Sequence, residues 1–373
     1  MRRTERPSPH PAGADVTFYQ SQVITLTEAE SHTKPRHLRR ESLARLSATL
    51  LLSAALLAGE SAAAGGQSFA AASTEPFSAT TDSTMTCPSV TGTQSATPTA
   101  GWTNQQASQA FATEKLAASP RSSRWVSLRF HGQTMRAWVD YPAGRKNAPV
   151  VLVLHEVFGL TDSTRNTADE IAAMGYIAIT PDMISGLGPD GGGDSRTLTG
   201  IGGGTSDLVT AVPDEEVSAR IGVWVNYAKH LPRSTGQTDV VGLSWGGGAA
   251  FRYAATGTKS VDSVFVFYDV GPPAVTQGCH RAEGLTNYPV DKIAVPVHGF
   301  YGETDTRVAN SLQATTEAMS TAGKYYDPVV YAGADHAFMR LGEDPSNTNS
   351  ANSAAEQASL KRLKKEIRRS FLH

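Results

Sequence analysis

The chain has 373 residues, 40% hydrophobic and 18% charged, with 33 Lys and Arg against 35 Asp and Glu for a net charge of −2. A balance so near zero gives no electrostatic footprint for nucleic acid. The length admits one large α/β domain with extensions, or two domains.

Residues 1–42 are polar and carry Arg39-Arg40 near their end. Leu46 to Gly59 is uncharged and rich in leucine and alanine, shorter than the roughly 20 residues that span a bilayer. Ser61-Ala62-Ala63-Ala64 supplies small residues for cleavage. This is the layout of an export signal over 1–64 with an extended n-region. It implies a periplasmic or secreted protein with no stable membrane span after cleavage. Cys87 and Cys279 both lie beyond the cleavage point. In an oxidising compartment they can pair, the alternative being two unrelated thiols; neither sits in a metal-binding spacing. Residues 65–123 read as a Ser/Thr/Ala-rich arm or linker, with a short helix possible over 102–118.

The compact domain is expected over 124–373. Residues 125–131 and 134–141 form an opening hairpin around His131-Gly132-Gln133. The apolar run Pro149–Leu154 suits a buried parallel strand. A helix over 163–174 and a strand over 176–180 follow, then a polar, glycine-rich loop from Gly186 to Gly204. In the helix over 213–231, Pro213 and the acidic 214–216 suit the first turn, and Val217, Ile221, Trp224, Val225 and Ala228 share one face. Strands over 238–242, 263–268, 295–300 and 327–331 alternate with helices to about 255 and over 308–322, before a C-terminal helix. The basic run 361–369 reads as that last helix's solvated face. Such alternation gives an α/β fold, a mostly parallel sheet with helices on both faces.

Residues 240–247 read Val-Val-Gly-Leu-Ser-Trp-Gly-Gly. A strand running into Gly-x-Ser-x-Gly and then a helix is the layout of a nucleophile elbow, with Ser244 at its apex. Ligands in such sheets bind beyond the carboxyl ends of the strands, so partners are sought there. Asp305 follows the strand over 295–300, and His336 the strand over 327–331. The order Ser244, Asp305, His336 is that of an α/β-hydrolase triad. His336 would take the serine proton, and Asp305 would fix the imidazole tautomer. Asp335 and Glu303 are rival acids. Trp245, after the nucleophile, supplies one oxyanion N–H; Val157, in the loop after the 149–154 strand, is the candidate for the other. Glu156 is unhelpful so near an oxyanion unless paired or protonated. His131, His155 and His298 are scattered, with no metal-ligand spacing, and no cofactor is expected.

Five blocks together resemble the dienelactone hydrolase family of α/β-hydrolases: His155-Glu156-Val157-Phe158-Gly159-Leu160; Gly175-Tyr176 with Pro181-Asp182; Gly242 to Gly247; Tyr301-Gly302 through Asp305; and His336 to Arg340. The resemblance covers roughly 125–370. It implies an α/β-hydrolase fold, the triad Ser244, Asp305 and His336, a nucleophile-tuning Glu156 and a substrate-binding Arg340. The family's second such arginine has no clear counterpart, since Arg196 lacks the surrounding pattern. The best-known members carry cysteine at the position of Ser244, so the resemblance implies ordinary serine-esterase behaviour here. The expected reaction is hydrolysis of a small-molecule carboxylic ester or lactone through an acyl-serine. Alternatives are a secreted esterase for larger or polymeric esters, with the 186–204 loop leaving the cleft open, or a non-catalytic binding protein on the same fold.

Overall fold

The computed structural model describes residues 100–144, 147–198, 205–269 and 289–372. The expected export signal, most of the arm, and both Cys87 and Cys279 lie outside them. The strands are β1 (Ser122–Phe130), β2 (Gln133–Tyr141), β3 (Ala148–Leu154), β4 (Ile177–Asp182), β5 (Ser234–Leu243), β6 (Val264–Phe267), β7 (Val297–Gly302) and β8 (Tyr326–Tyr331). The helices are α1 (Ala100–Ala118), α2 (Asp162–Ala173), α3 (Thr205–Ala211), α4 (Asp214–His230), α5 (Trp245–Ala255), α6 (Thr306–Thr321), α7 (Phe338–Glu343) and α8 (Ser350–Ser370).

One sheet runs β1-β2-β4-β3-β5-β6-β7-β8. The β1–β2 and β2–β4 pairings are antiparallel, and the rest are parallel. The order reverses around β3, so β3 and β5 lie side by side and their carboxyl ends meet. That is where open α/β sheets form their crevice.

Strand periodicity divides the core. Val150, Leu152, Leu154, Val240, Val264 and Val266 face one layer, with Val217, Ile221 and Trp224 of α4 and Ala249 and Ala250 of α5. Val151, Val153, Val241, Phe265 and Phe267 face the other, with Ile171 of α2, Phe338 of α7 and Leu363 and Ile367 of α8. Alternate side chains of a strand point to opposite faces, so a strand buried on both faces reads as an unbroken apolar run.

Several elements differ from the sequence reading. β5 starts four residues early, at Ser234. Two short helices, α3 and α7, occupy stretches without a strong apolar period. Within the basic run, Arg362 turns inward rather than to solvent. Its guanidinium donates to Gly299 O at 2.7 Å and to Asp327 O and Oδ2 at 2.6 and 2.9 Å, and so ties α8 to the edge of the sheet.

Helix α1 lies against α2. Thr113 Oγ1 donates to Asp162 Oδ2 at 2.6 Å, and Lys115 Nζ to Glu170 Oε1 at 2.9 Å. Lys115 is also 4.0 Å from Glu343 Oε2, which accepts from Asn166 Nδ2 at 2.7 Å. Glu170 of α2, Glu343 of α7 and Glu356 of α8 bring their carboxyl oxygens within 4.8 Å of one another. Three carboxylates around one ammonium cannot all ionise cheaply when buried. Burial and the charge on Glu170 push Glu356 up to about 7, against the pull of Lys115. The folded state therefore holds extra protons, and stability falls as pH rises from the ordinary 4.5 through about 7. Glu356→Gln should raise the melting temperature at pH 8 by about 2–4 °C and leave it nearly unchanged at pH 4.5. Thermal melts at the two pH values check this, and equal shifts at both would contradict it.

Candidate active site

Ser244 sits alone between the end of β5 and the start of α5, at φ 50° and ψ −121°. Positive φ is costly for a residue with a side chain, of order 1–3 kcal/mol, and persists only where the surroundings enforce it. Here Ser244 N–H donates to Phe267 O of β6 at 3.0 Å, and Ser244 O accepts from Gly247 N at 2.6 Å. The two motif glycines are steric requirements. A Cβ on Gly242 would strike the Gly246 carbonyl. A Cβ on Gly246 would lie 2.5 Å from Leu154 O and 2.7 Å from His155 O. The elbow is thus pressed against the loop leaving β3.

Ser244 Oγ is 3.0 Å from His336 Nε2, and His336 Nδ1 is 2.5 Å from Asp305 Oδ2. The Asp305 side chain is 2% exposed and that of His336 29%, so the carboxylate is sealed and the imidazole reaches the surface. The three side chains come from the ends of β5, β7 and β8. The rival acids are engaged elsewhere. Asp335 accepts from Thr304 Oγ1, Asn349 Nδ2 and Asn352 Nδ2 at 2.6, 2.8 and 3.0 Å. Burial pushes the Asp335 carboxyl up, but those three donors outweigh it and hold it below the usual range. Glu303 accepts from Gly333 N at 2.8 Å.

Trp245 opens α5, where first-turn N–H groups have no intrahelical acceptor. Val157 stands in the turn that Gly159 N closes onto Glu156 O at 3.2 Å. Glu156 is buried and paired, its Oε2 accepting from Arg340 Nε at 3.0 Å. The pairing supplies the counter-charge that a buried carboxylate requires. The Arg340 guanidinium also lies 5.8 Å from the centre of the Phe158 ring. Arg196 is held by Asp194 at 2.7 Å and stacks over Trp125 at 4.7 Å.

The sequence reading missed Tyr268. It follows β6 at φ 37°, is 1% exposed, and sets its ring edge-on to His336 with centroids 5.2 Å apart. Burial and the neighbouring charge of Glu156 push its phenol well above the usual range, so it stays protonated. Its position at a strand's carboxyl end was the available signal. The loop from 186 to 198 is also more closely held than its glycines suggest. Gly186 N donates to Gly193 O at 2.9 Å, and Ser195 N and Oγ donate to Asp182 at 2.7 and 2.8 Å.

The model of the dienelactone hydrolase family matches residues 135–369. The chain belongs to the dienelactone hydrolase family. It is 30% identical over 220 residues to a protein assigned as a carboxymethylenebutenolidase in Methylorubrum extorquens, covering 57% of this chain and 71% of that one. It is 32% identical over 147 residues to the carboxymethylenebutenolidase of Pseudomonas putida, covering 38% and 58% respectively. The fold is shared with a Klebsiella pneumoniae protein assigned as a dienelactone hydrolase, at a TM-score of 0.54 and 23% identity over 65% of this chain and 97% of that one. Membership makes this dienelactone hydrolase relative a carboxylic ester hydrolase in the broad sense, acting on esters or lactones. No helix among its described residues is long and apolar enough to cross a membrane.

Proposed function

We propose that this enzyme hydrolyses a small-molecule carboxylic ester or lactone through an acyl-serine intermediate. The observation that carries the reading is the hydrogen-bonded chain Ser244 Oγ–His336–Asp305, at 3.0 and 2.5 Å, on a positive-φ elbow. His336 Nε2 takes the Ser244 proton as Oγ attacks the carbonyl carbon, then delivers it to the leaving alkoxide. Asp305 keeps the proton on Nδ1 and balances the imidazolium charge. The N–H groups of Trp245 and Val157 receive the oxyanion. Water, deprotonated by the same imidazole, then releases the acid from Ser244. Arg340, shared with Glu156, is the cation that would meet a carboxylate on the substrate.

A fluorophosphonate probe tests this directly. Mass-spectrometric mapping should place the adduct on Ser244, and turnover should appear in a panel of short-chain esters, lactones and polyesters. Ester turnover without labelling would overturn the serine mechanism. Absence of both would favour a binding protein on this fold. We further propose export, on the strength of Arg39-Arg40, the apolar 46–59 stretch and the small residues at 61–64. The N-terminal sequence of the protein recovered from outside the cytoplasm should begin near residue 65.

A further inference from the structure

His155, immediately before Glu156, is fully buried. Its two ring nitrogens have different partners. Met183 N–H, which can only donate, points at Nε2 from 3.1 Å. Nε2 must therefore be the acceptor and Nδ1 must carry the proton. Nδ1–H then donates to Glu156 O at 2.7 Å. Complete burial favours this neutral form, against the pull of nearby Asp182.

The acceptor is half of a particular peptide unit. Glu156 C=O and Val157 N–H share one plane and point in opposite directions across it. Fixing the direction of the carbonyl therefore fixes the direction of the N–H. Gly159 N also donates to Glu156 O, from 3.2 Å, but a turn bond leaves the plane free to rock about the chain axis. The imidazole supplies a second, nearly rigid anchor. The same ring stacks on the Trp245 indole, with centroids 5.5 Å apart and planes 15° apart. Trp245 carries the other proposed oxyanion donor.

We infer that His155 is a positioning residue of the oxyanion hole, holding the 156–157 peptide so that Val157 N–H faces the carbonyl oxygen of the substrate. This rests on the acyl-serine reading above. His155 touches neither substrate nor nucleophile, and it undergoes no proton transfer. Its contribution is orientation: a donor swung away from the developing oxyanion contributes little, and losing one such donor costs roughly 10²–10³-fold in kcat.

The experiment compares His155→Asn, His155→Gln and His155→Phe in the full chain. The amide nitrogen of asparagine can reach the place of the donor Nδ1, the amide oxygen of glutamine can take the place of the acceptor Nε2, and phenylalanine keeps only the stack on Trp245. Phenylalanine should lower kcat by about 10- to 100-fold with KM changed less than about threefold. Asparagine should restore most of that kcat and glutamine should not, even where their melting temperatures agree. Inhibition by a trifluoromethyl ketone, whose adduct carries the oxyanion, should weaken by the same factor as kcat falls. Active-site titration counts folded enzyme, so poor folding of one variant does not enter the comparison. Wild-type kcat in the phenylalanine variant would overturn the proposal. So would asparagine and glutamine variants with equal kcat, or ketone affinity that stays constant while kcat falls. Failure of the acyl-serine reading would appear separately, as activity that survives loss of the Ser244 hydroxyl with His155 intact.

Discussion

Ser244→Ala should lower kcat by at least about 10⁴-fold while leaving the fold intact. The substitution removes one oxygen and nothing else. The backbone at 244 already carries a Cβ at φ 50°, so alanine brings no new strain. The bonds that hold the turn, to Phe267 O and from Gly247 N, are main-chain and survive. What is lost is the atom proposed to become acylated, and with it the partner of His336 Nε2. Remaining turnover would come from bound water and the oxyanion donors alone. Steady-state kinetics and a melting curve on the same preparation check both halves. Activity within tenfold of the parent would rule out Ser244 as the nucleophile.

The second large effect is expected at Asp305. Asp305→Asn keeps the shape but replaces an acceptor-only carboxylate by an amide that can donate to Nδ1. The imidazole then holds its proton on Nε2, facing Ser244 Oγ, and cannot act as base. A loss of about 10⁴-fold in kcat follows from such a wrong tautomer. Asp335→Asn is the matched control. Its carboxylate serves Thr304, Asn349 and Asn352, so the change should reduce stability and move kcat by no more than a few-fold. Kinetics of the two variants side by side decide the acid. A larger loss at 335 than at 305 would move that role to Asp335.

What the sequence revealed and what it concealed have physical causes. Strands buried on both faces write unbroken apolar runs, as in Pro149–Leu154, and the parallel sheet follows from them. Residues at the carboxyl ends of strands converge by topology, so Ser244, Asp305 and His336 could be paired before any distance was known. Glycines at 242 and 246 marked the elbow because a Cβ has no room at either place. Other features depend on contacts between elements far apart in the chain. The six residues of α7 follow an Ala337 with φ 60° and are too few for a helical period. Tyr268 follows β6 and His336 follows β8, two strands apart in the sheet, so neither segment alone announces their contact. Arg362 sits in a basic run, and its inward turn is set by the Gly299 carbonyl on β7 and the Asp327 carbonyl on β8. His155 looked like one of several scattered histidines, and its meaning lies in which atom each ring nitrogen meets.

The carboxylate cluster around Lys115 joins α1 to the helices that cover the sheet. Its ammonium, Lys115, comes from α1, upstream of the first strand, and one of its acids, Glu343, closes the short helix that carries Arg340. A chain trimmed to start at Ser122 would keep every strand and the Ser244–His336–Asp305 array. It would also leave three acids without their ammonium beneath the segment that follows His336. The packed body therefore extends N-terminal to the sheet, with α1 held on α2 through Thr113 and Lys115.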